Sequence, residues 1–293
     1  MNNNILREKI TLIGAGRLGR ALLRMLIEHQ YSVSAVIDVD EEALNKCNFL
    51  PHNIILSQDF KTIPNETTCL LIAVPDDSIE EVAKNITNCV TLTNKCVAAH
   101  TSGAHTSDIL EALKTIGIST GSLHPIQTFP GNDDDWQRLK KIYFSFEGDE
   151  TAYDRFAILV ETLGSKIIKI EKKYKTLYHI SCVMASNYLV ALLHMATQLA
   201  EKSGVQHDEI LKVLNPLINA TLENISSQDI TYALTGPIAR GDVGTIIRHI
   251  TALQNEAARL LPCYLELGKI TLDIAKAGSS HLPDLAKMEQ QLL

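Results

Sequence analysis

Through the first half of the chain, short continuous apolar runs alternate with segments whose apolar residues recur at helical spacing. The runs lie at residues 11–13, 33–37, 53–57, 69–74, 96–100, 118–123, 143–147 and 166–170. Between them, helices are predicted around Ala21, Leu22, Met25 and Leu26, over 40–47, through Ile79, Val82, Ala83 and Ile86 with Ser78 as cap, over 107–115, and over 152–163. Strands that are apolar throughout, separated by helices, imply a doubly wound and mostly parallel sheet covered on both faces. Beyond Glu171 strand signals vanish. Helical patterns then run over 172–202 (ending at Ser203-Gly204), onward from Asp208, and over 227–234, 243–249 and 253–276. The expected organisation is an α/β domain over 1–170 followed by an all-α domain over 171–293.

The turn after the first run reads Gly14-Ala15-Gly16-Arg17-Leu18-Gly19. A G-x-G-x-x-G between strand and helix is the fingerprint of a dinucleotide-binding Rossmann unit. Gly14 permits the tight turn, Gly16 lets a pyrophosphate approach the backbone, and Gly19 lets helix and sheet pack closely. The N–H groups of Arg17 and Leu18 at the helix start face the phosphates. The second run ends in Asp38, about 20 residues beyond the last glycine, where an acid meets ribose hydroxyls.

Composition narrows the class. The chain has 293 residues, 45% hydrophobic, with a net charge of −7 and no basic run, so nucleic acid and anionic membranes are not expected partners. No segment reads as a membrane span, and Met1 to Asn4 leave no room for a signal peptide. The six cysteines are scattered without C-x-x-C and read as reduced, buried thiols of a cytoplasmic protein, with no metal site. The acidic run Asp133-Asp134-Asp135 reads as a solvated loop.

Ligands of open α/β sheets bind at the carboxyl ends of the strands. There, Val74-Pro75-Asp76 forms a rigid turn that either lines a nicotinamide face or only ends the strand. Ser102, in Thr101-Ser102-Gly103, either offers a hydroxyl to the cofactor or helps cap the helix from Ser107. His124, in the loop His124-Pro125-Ile126-Gln127-Thr128-Phe129, either serves a substrate carbonyl or holds the loop. On the long helix, steps of four and seven from His179 bring Lys175 and Ser186 to its face, with Asn187 at the margin and His194 further on. In Gly236-Pro237-Ile238-Ala239-Arg240-Gly241-Asp242, Arg240 either clamps a carboxylate or pairs locally, and Asp242 caps the next helix.

Together with the glycine fingerprint, the motifs Val74-Pro75-Asp76, His124 to Phe129, Tyr178-His179, Ser186-Asn187-Tyr188-Leu189 and Gly236 to Asp242 resemble those of one family. It joins a Rossmann-like domain to a helical domain of unknown function (domain-of-unknown-function-2520). That family is similar in layout to pyrroline-5-carboxylate reductase, the 3-hydroxyacid dehydrogenases and prephenate dehydrogenase. The resemblance implies an NAD(P)-dependent oxidoreductase acting on a small oxo/hydroxy or imino/amino acid, and a homodimer formed through the helical domain. Where family members often carry a Ser-Arg-Ser-like end to the second strand, this chain has Asp38-Val39-Asp40. A carboxylate there favours NAD over NADP. The 3-hydroxyacid dehydrogenases carry a catalytic lysine on the helix; His179 lies near that place.

The expected enzyme uses His179 as proton donor or acceptor with His124 second, Asn187 to orient the substrate and Arg240 to hold an anionic group. Gly14, Gly16, Arg17, Leu18, Gly19, Asp38, Val74, Pro75 and Ser102 hold the cofactor. A dinucleotide sensor without turnover, or a flavin-type or deazaflavin cofactor in the same loop, are the alternatives.

Overall fold

The structure is a computed structural model that describes residues 8–93, 95–278 and 284–293. The opening Met1 to Asn4 lie outside the described residues. All eight expected strands form: β1 (Lys9–Ile13), β2 (Ser32–Ile37), β3 (Ile55–Ser57), β4 (Cys69–Ile72), β5 (Val97–His100), β6 (Ser119–Pro125), β7 (Tyr143–Gly148) and β8 (Lys166–Lys169). They make one sheet in the order β3-β2-β1-β4-β5-β6-β7-β8. Every pairing is parallel except β6 with β7. The order reverses between β1 and β4, which is the switch point where such sheets take ligands.

Five helices accompany the sheet: α1 (Arg17–Glu28), α2 (Glu41–Asn45), α3 (Ile79–Cys89), α4 (Glu111–Lys114) and α5 (Glu150–Thr162). Alternate residues of the same strands feed two cores. Ile10, Leu12, Val36 and Leu71 pack with Leu22, Leu26, Phe156 and Val160 from α1 and α5. Ile13, Ile37, Leu70 and Ile72 pack with Ile79, Val82 and Ile86 from α3. This is why the strands read as unbroken apolar runs. Ser78 holds the N-cap position of α3 without the expected side-chain bond, because a 3-10 turn over Asp76–Ser78 leads into the helix.

The chain divides into two compact units, Met1–Asn187 and Tyr188–Leu293. The sheet ends near the expected boundary at Glu171, but the first unit continues through α6 (Lys175–Val183). Hydrogen bonds from Lys175 and Tyr178 tie that helix to β6. A π-helical turn, Met184–Tyr188, follows α6. The second unit holds α7 (Leu189–Lys202), α8 (Ile210–Ser227), α9 (Ile230–Ala233), α10 (Val243–Glu256), α11 (Leu261–Gly278) and α12 (Leu285–Leu292). The break expected after His249 falls instead at Ala257, where the backbone leaves helical geometry. The core of this unit is small, built on Ile238, Ile246, Leu272, Ala275, Met288 and Leu292.

Three sequence expectations need correction. The helical run Lys172–Lys202 is long and apolar enough to cross a membrane by length and composition. Its first turns are nevertheless bonded to the sheet, and its remainder carries Asn187, His194 and Gln198. Of the cysteines, Cys47, Cys69 and Cys96 are buried, whereas Cys89 and Cys263 are exposed and Cys182 is half-buried. Within the acidic run, Asp133 is solvated but Asp135 is buried. Asp135 accepts the N–H groups of Gly131 at 2.7 Å and Asn132 at 3.1 Å, which closes that loop.

The start of the 3-10 turn at Ser107 is capped from a distant strand. Buried Glu147 on β7 accepts Ser107 N–H at 2.5 Å and Ser107 Oγ–H at 3.0 Å. Replacing Glu147 by Ala leaves those donors unpaired, and the expected cost is about 3 kcal/mol, read by urea unfolding at neutral pH. A loss below about 1 kcal/mol would remove the cap from its place in this account.

Candidate active site

The glycine loop leaves β1 at the switch point. Gly14 has φ +96°, and a Cβ there would run into the Ala73 carbonyl. A Cβ on Gly19 would strike the Gly14 carbonyl, whereas at Gly16 nothing stands within 4 Å. The tight residues are thus fixed by packing, and the open one faces free space. No side chain caps the start of α1, and no acid lies in its first turn, so its N–H groups remain available to an anion.

Beside the loop lies a cavity of about 530 Å³ whose lining includes Gly14, Gly16, Asp38, Val74, Pro75 and Asn85. Asp38 Oδ2 accepts the Ala15 N–H at 2.6 Å, and Oδ1 accepts the Asp40 N–H at 2.9 Å. The carboxylate is therefore held at the cavity rim by backbone, with lone pairs remaining for hydroxyl donors. Arg17 is exposed and Leu18 half-buried at the helix start. The cavity shape, the open Gly16 and the uncapped helix fit the diphosphate and adenosine half of a dinucleotide.

The Ser102 hydroxyl is spent inside the protein. It accepts the N–H groups of Ala104 and His105, each at 3.1 Å, and donates to Asp76 Oδ2 at 2.8 Å. It does not cap the helix from Ser107, a task that belongs to Glu147.

A second cluster occupies the face of β6 and β7 covered by α6. Ser122 lies opposite Glu147, and His124 opposite Ser145, so all four share one face. His124 thus belongs to β6 rather than to a loop, because Pro125 stays in register with Phe144. Fully buried Lys175 donates from Nζ to Ser122 Oγ at 2.5 Å, and the Ser122 hydroxyl donates to the Ser102 carbonyl at 3.1 Å. Burial pulls the Lys175 amine down to about 8, against the opposing charges of Glu147 and Asp76. One turn on, Tyr178 Oη and His124 Nδ1 are hydrogen-bonded at 2.9 Å. The rings of His124 and His179 stand edge to face, with centroids 6.1 Å apart. Both aim a nitrogen at Gly103: a Cβ there would lie 2.5 Å from His179 Nδ1 and 2.9 Å from His124 Nε2. His179 Nδ1 is buried and has no hydrogen-bond partner among the described residues.

Burial, reinforced by the Lys175 charge, lowers His124 to about 4. Burial likewise lowers His100, at the end of β5, to about 4; its Nδ1 accepts the Ser102 N–H and its Nε2 lies 3.1 Å from the Thr106 carbonyl. Burial also raises the Tyr178 phenol.

The structure brings together His124, His179, Lys175 and Tyr178. Lys175 was legible as a neighbour of His179, four residues earlier, but its burial was not. Tyr178 was part of the Tyr178-His179 motif, but its bond to His124 was not legible. Ser186 and Asn187 fall in the π-turn, which breaks the periodicity used to place them beside His179; Asn187 is exposed. His194 Nε2 is bonded to Gln198 at 2.9 Å, and Gln198 accepts from Arg259 at 2.6 Å, both within the second unit. In that unit Arg240 is exposed on a turn closed by three backbone bonds: Arg240 N–H to Gly236 O, Gly241 N–H to Ile238 O, and Asp242 N–H to Pro237 O. Asp242 caps α10 by accepting the Thr245 N–H at 3.0 Å.

Comparison with known proteins agrees with this architecture. Residues 2–125 match the model of the Rossmann-like domain, and residues 142–271 match that of the domain of unknown function DUF2520. The chain thus joins a Rossmann-like domain to a DUF2520 domain. No curated protein matches it significantly. Among solved structures, it is similar to BF3122 of Bacteroides fragilis, a candidate NADP oxidoreductase. The identity is 21% and the TM-score 0.73, over 92% of this chain and 99% of that one. TM1727 of Thermotoga maritima is 23% identical, with a TM-score of 0.73 over 92% and 98%. A reductive aminase from Aspergillus terreus in complex with NADPH is 14% identical, with a TM-score of 0.64 over 97% and 99%. At these identities the likeness establishes the fold.

Two histidines held neutral make stability depend on acid. Each has its folded value lowered from 6.5 to about 4, so the unfolded chain binds protons first as pH falls. Their contribution is complete above pH 6.5 and is lost between 6.5 and 4, at about 3 kcal/mol each. Urea unfolding across that window should show the decline, and His124→Gln should flatten it by its share; an unchanged slope would count against the assignment.

Proposed function

We propose that the protein is a nicotinamide-dependent oxidoreductase acting on a small oxo/hydroxy or imino/amino acid. One observation carries this reading: the open Gly16 at an uncapped helix start beside a cavity of about 530 Å³ rimmed by Asp38. Gly14, Gly16, Arg17, Leu18 and Gly19 would hold the diphosphate, Asp38 the ribose hydroxyls, and Val74 and Pro75 the cavity wall. The Asp38 carboxylate favours NAD(H) over NADP(H), because it accepts from hydroxyls and repels a phosphate. When bound, the nicotinamide supplies or accepts the hydride.

The chain's own residues supply the proton and the clamp. His179, whose Nδ1 is buried and unpartnered, serves as proton donor or acceptor. His124, fixed by Tyr178, is the second candidate. Asn187 orients the substrate, and Arg240, exposed on its own unit, carries a guanidinium suited to a two-pronged contact with a carboxylate. The role of Arg240 is supported by its exposure on a rigidly closed turn.

Calorimetry should find NADH binding that Gly16→Val abolishes, with NADPH weaker. His179→Ala should lose turnover at least about a hundredfold while NADH affinity is unchanged. Tighter NADPH binding would reverse the cofactor preference, and full activity in H179A would dismiss the histidine.

We also infer a soluble, cytoplasmic homodimer assembled through the helical unit. Its core is small for its length, α7 has no buried residue, and α8 buries only Ile210. Meanwhile Val190, Leu211, Val213 and Leu217 expose apolar side chains, a surface of the kind that a second copy covers. Sedimentation equilibrium should give a dimer that Val213→Asp with Leu217→Asp converts to monomer; a monomeric parent would refute the arrangement.

A further inference from the structure

We propose that the reacting group is a carbonyl–hydroxyl pair, with its oxygen seated between His124 Nε2 and His179 Nδ1 beside Gly103, rather than an imine–amine pair. This rests on the oxidoreductase reading above and narrows its substrate class.

Three observations converge. The first is the notch itself. Gly103 lies at the end of β5, and its missing Cβ makes room for two ring nitrogens that would otherwise collide with a side chain. The second is incompleteness. His179 Nδ1 is buried without a partner among the described residues, and buried polar atoms are normally satisfied by protein, water or ligand. His124, in contrast, has its far nitrogen already bound to Tyr178. With the phenol donating to Nδ1, the imidazole proton lies on Nε2, the nitrogen that faces Gly103.

The third is the sign of the charge. Lys175 is one turn before His179 on α6, and its amine is bonded to Ser122, two residues before His124 on the same face of β6. A buried ammonium therefore flanks both imidazoles. Glu147 and Asp76 partly oppose that charge, but each is hydrogen-bonded to a serine, Glu147 to Ser107 and Asp76 to Ser102, and neither is bonded to an imidazole. The lowered proton affinity of His124 is consistent with that field. An oxygen gaining negative charge is stabilised by neutral N–H donors and a nearby ammonium. An iminium brought to the same place meets a cation nearby and, among the described residues, no carboxylate bonded to either imidazole.

The step balances without a further reactant. In reduction, a hydride from the reduced nicotinamide adds to the carbonyl carbon while the C=O π pair moves to oxygen. The oxygen takes a proton from His179 Nδ1, which solvent then replaces, while His124 Nε2–H, held by Tyr178, donates a hydrogen bond to it. The sum is carbonyl, reduced nicotinamide and one proton giving alcohol and oxidised nicotinamide. Oxidation runs the same path backwards.

The test begins with NADH and NADPH affinity measured by fluorescence. If neither binds, the oxidoreductase reading itself fails, and this proposal falls with it. With the bound cofactor saturating, reduction of glyoxylate, pyruvate, acetoacetate and succinic semialdehyde is compared with that of 2-methyl-1-pyrroline and 1-pyrroline-2-carboxylate. At least about tenfold higher kcat/KM for the best carbonyl is expected. In Lys175→Met the ratio of carbonyl to imine turnover should fall about a hundredfold. Should that variant unfold, Ser122→Ala loosens the amine without emptying its place and should move the ratio the same way. Equal or better reduction of imines, no reduction of either class by cofactor-loaded enzyme, or an unmoved ratio in the variant that folds would each overturn the proposal while leaving the cofactor site intact.

Discussion

The bond from Lys175 to Ser122 is the contact on which the candidate site depends. A lysine ammonium is costly to bury, and here it is fully buried at the first residue of α6. One short hydrogen bond to β6 and the opposing charge of Glu147 offset part of that cost. The bond also fixes which face of α6 meets the sheet. Since side chains three and four residues apart share a helical face, seating Lys175 also seats Tyr178 and His179. A different rotation of α6 would separate Tyr178 from His124 and turn His179 away from Gly103.

The single antiparallel pairing makes such a polar face available. On the central strands β1, β2 and β4 both faces are mostly apolar and covered by helices. At β6 and β7, Ser122, His124, Ser145 and Glu147 line up across directly opposed positions. Glu147 is held by Ser107 and Ser122 by Lys175, while His124 meets Tyr178. Within the patch Ser145 Oγ is left without a partner among the described residues, and so is His179 Nδ1 on the helix above it. Unsatisfied buried atoms are where a ligand or water has the most to contribute.

Much of the fold was legible because its dominant signal is local. Each strand buried on two faces is a continuous apolar run, and Gly14 and Gly19 have packing reasons visible in their neighbours, whereas Gly16 faces open space. The Asp242 cap was equally readable, since cap and helix are adjacent in sequence. The misses share a different cause. His124 was placed in a loop after a strand expected to end at Leu123, yet antiparallel pairing carries β6 on to Pro125. Ser186 and Asn187 were placed by a constant period that the π-turn interrupts. Ser102 was offered to the cofactor, but its bonds to Asp76 and the following backbone depend on a strand-end geometry that composition does not reveal. Glu147 caps a turn 40 residues earlier in the chain, a pairing that only topology brings about.

The two halves of the first unit's site also differ in what sets them. The glycine loop is a matter of backbone, in which steric exclusion by carbonyls leaves few residue choices at Gly14 and Gly19. The histidine notch is a matter of charge and dielectric. Burial chiefly, with the Lys175 charge second, lowers the proton affinity of His124. On the proposed reading, binding a dinucleotide and choosing a substrate are separable, as expected where function resides in sites grafted on a common fold. In that proposal the substrate class follows from the buried Lys175 amine, whose charge acts on His124 against the opposing charge of Asp76.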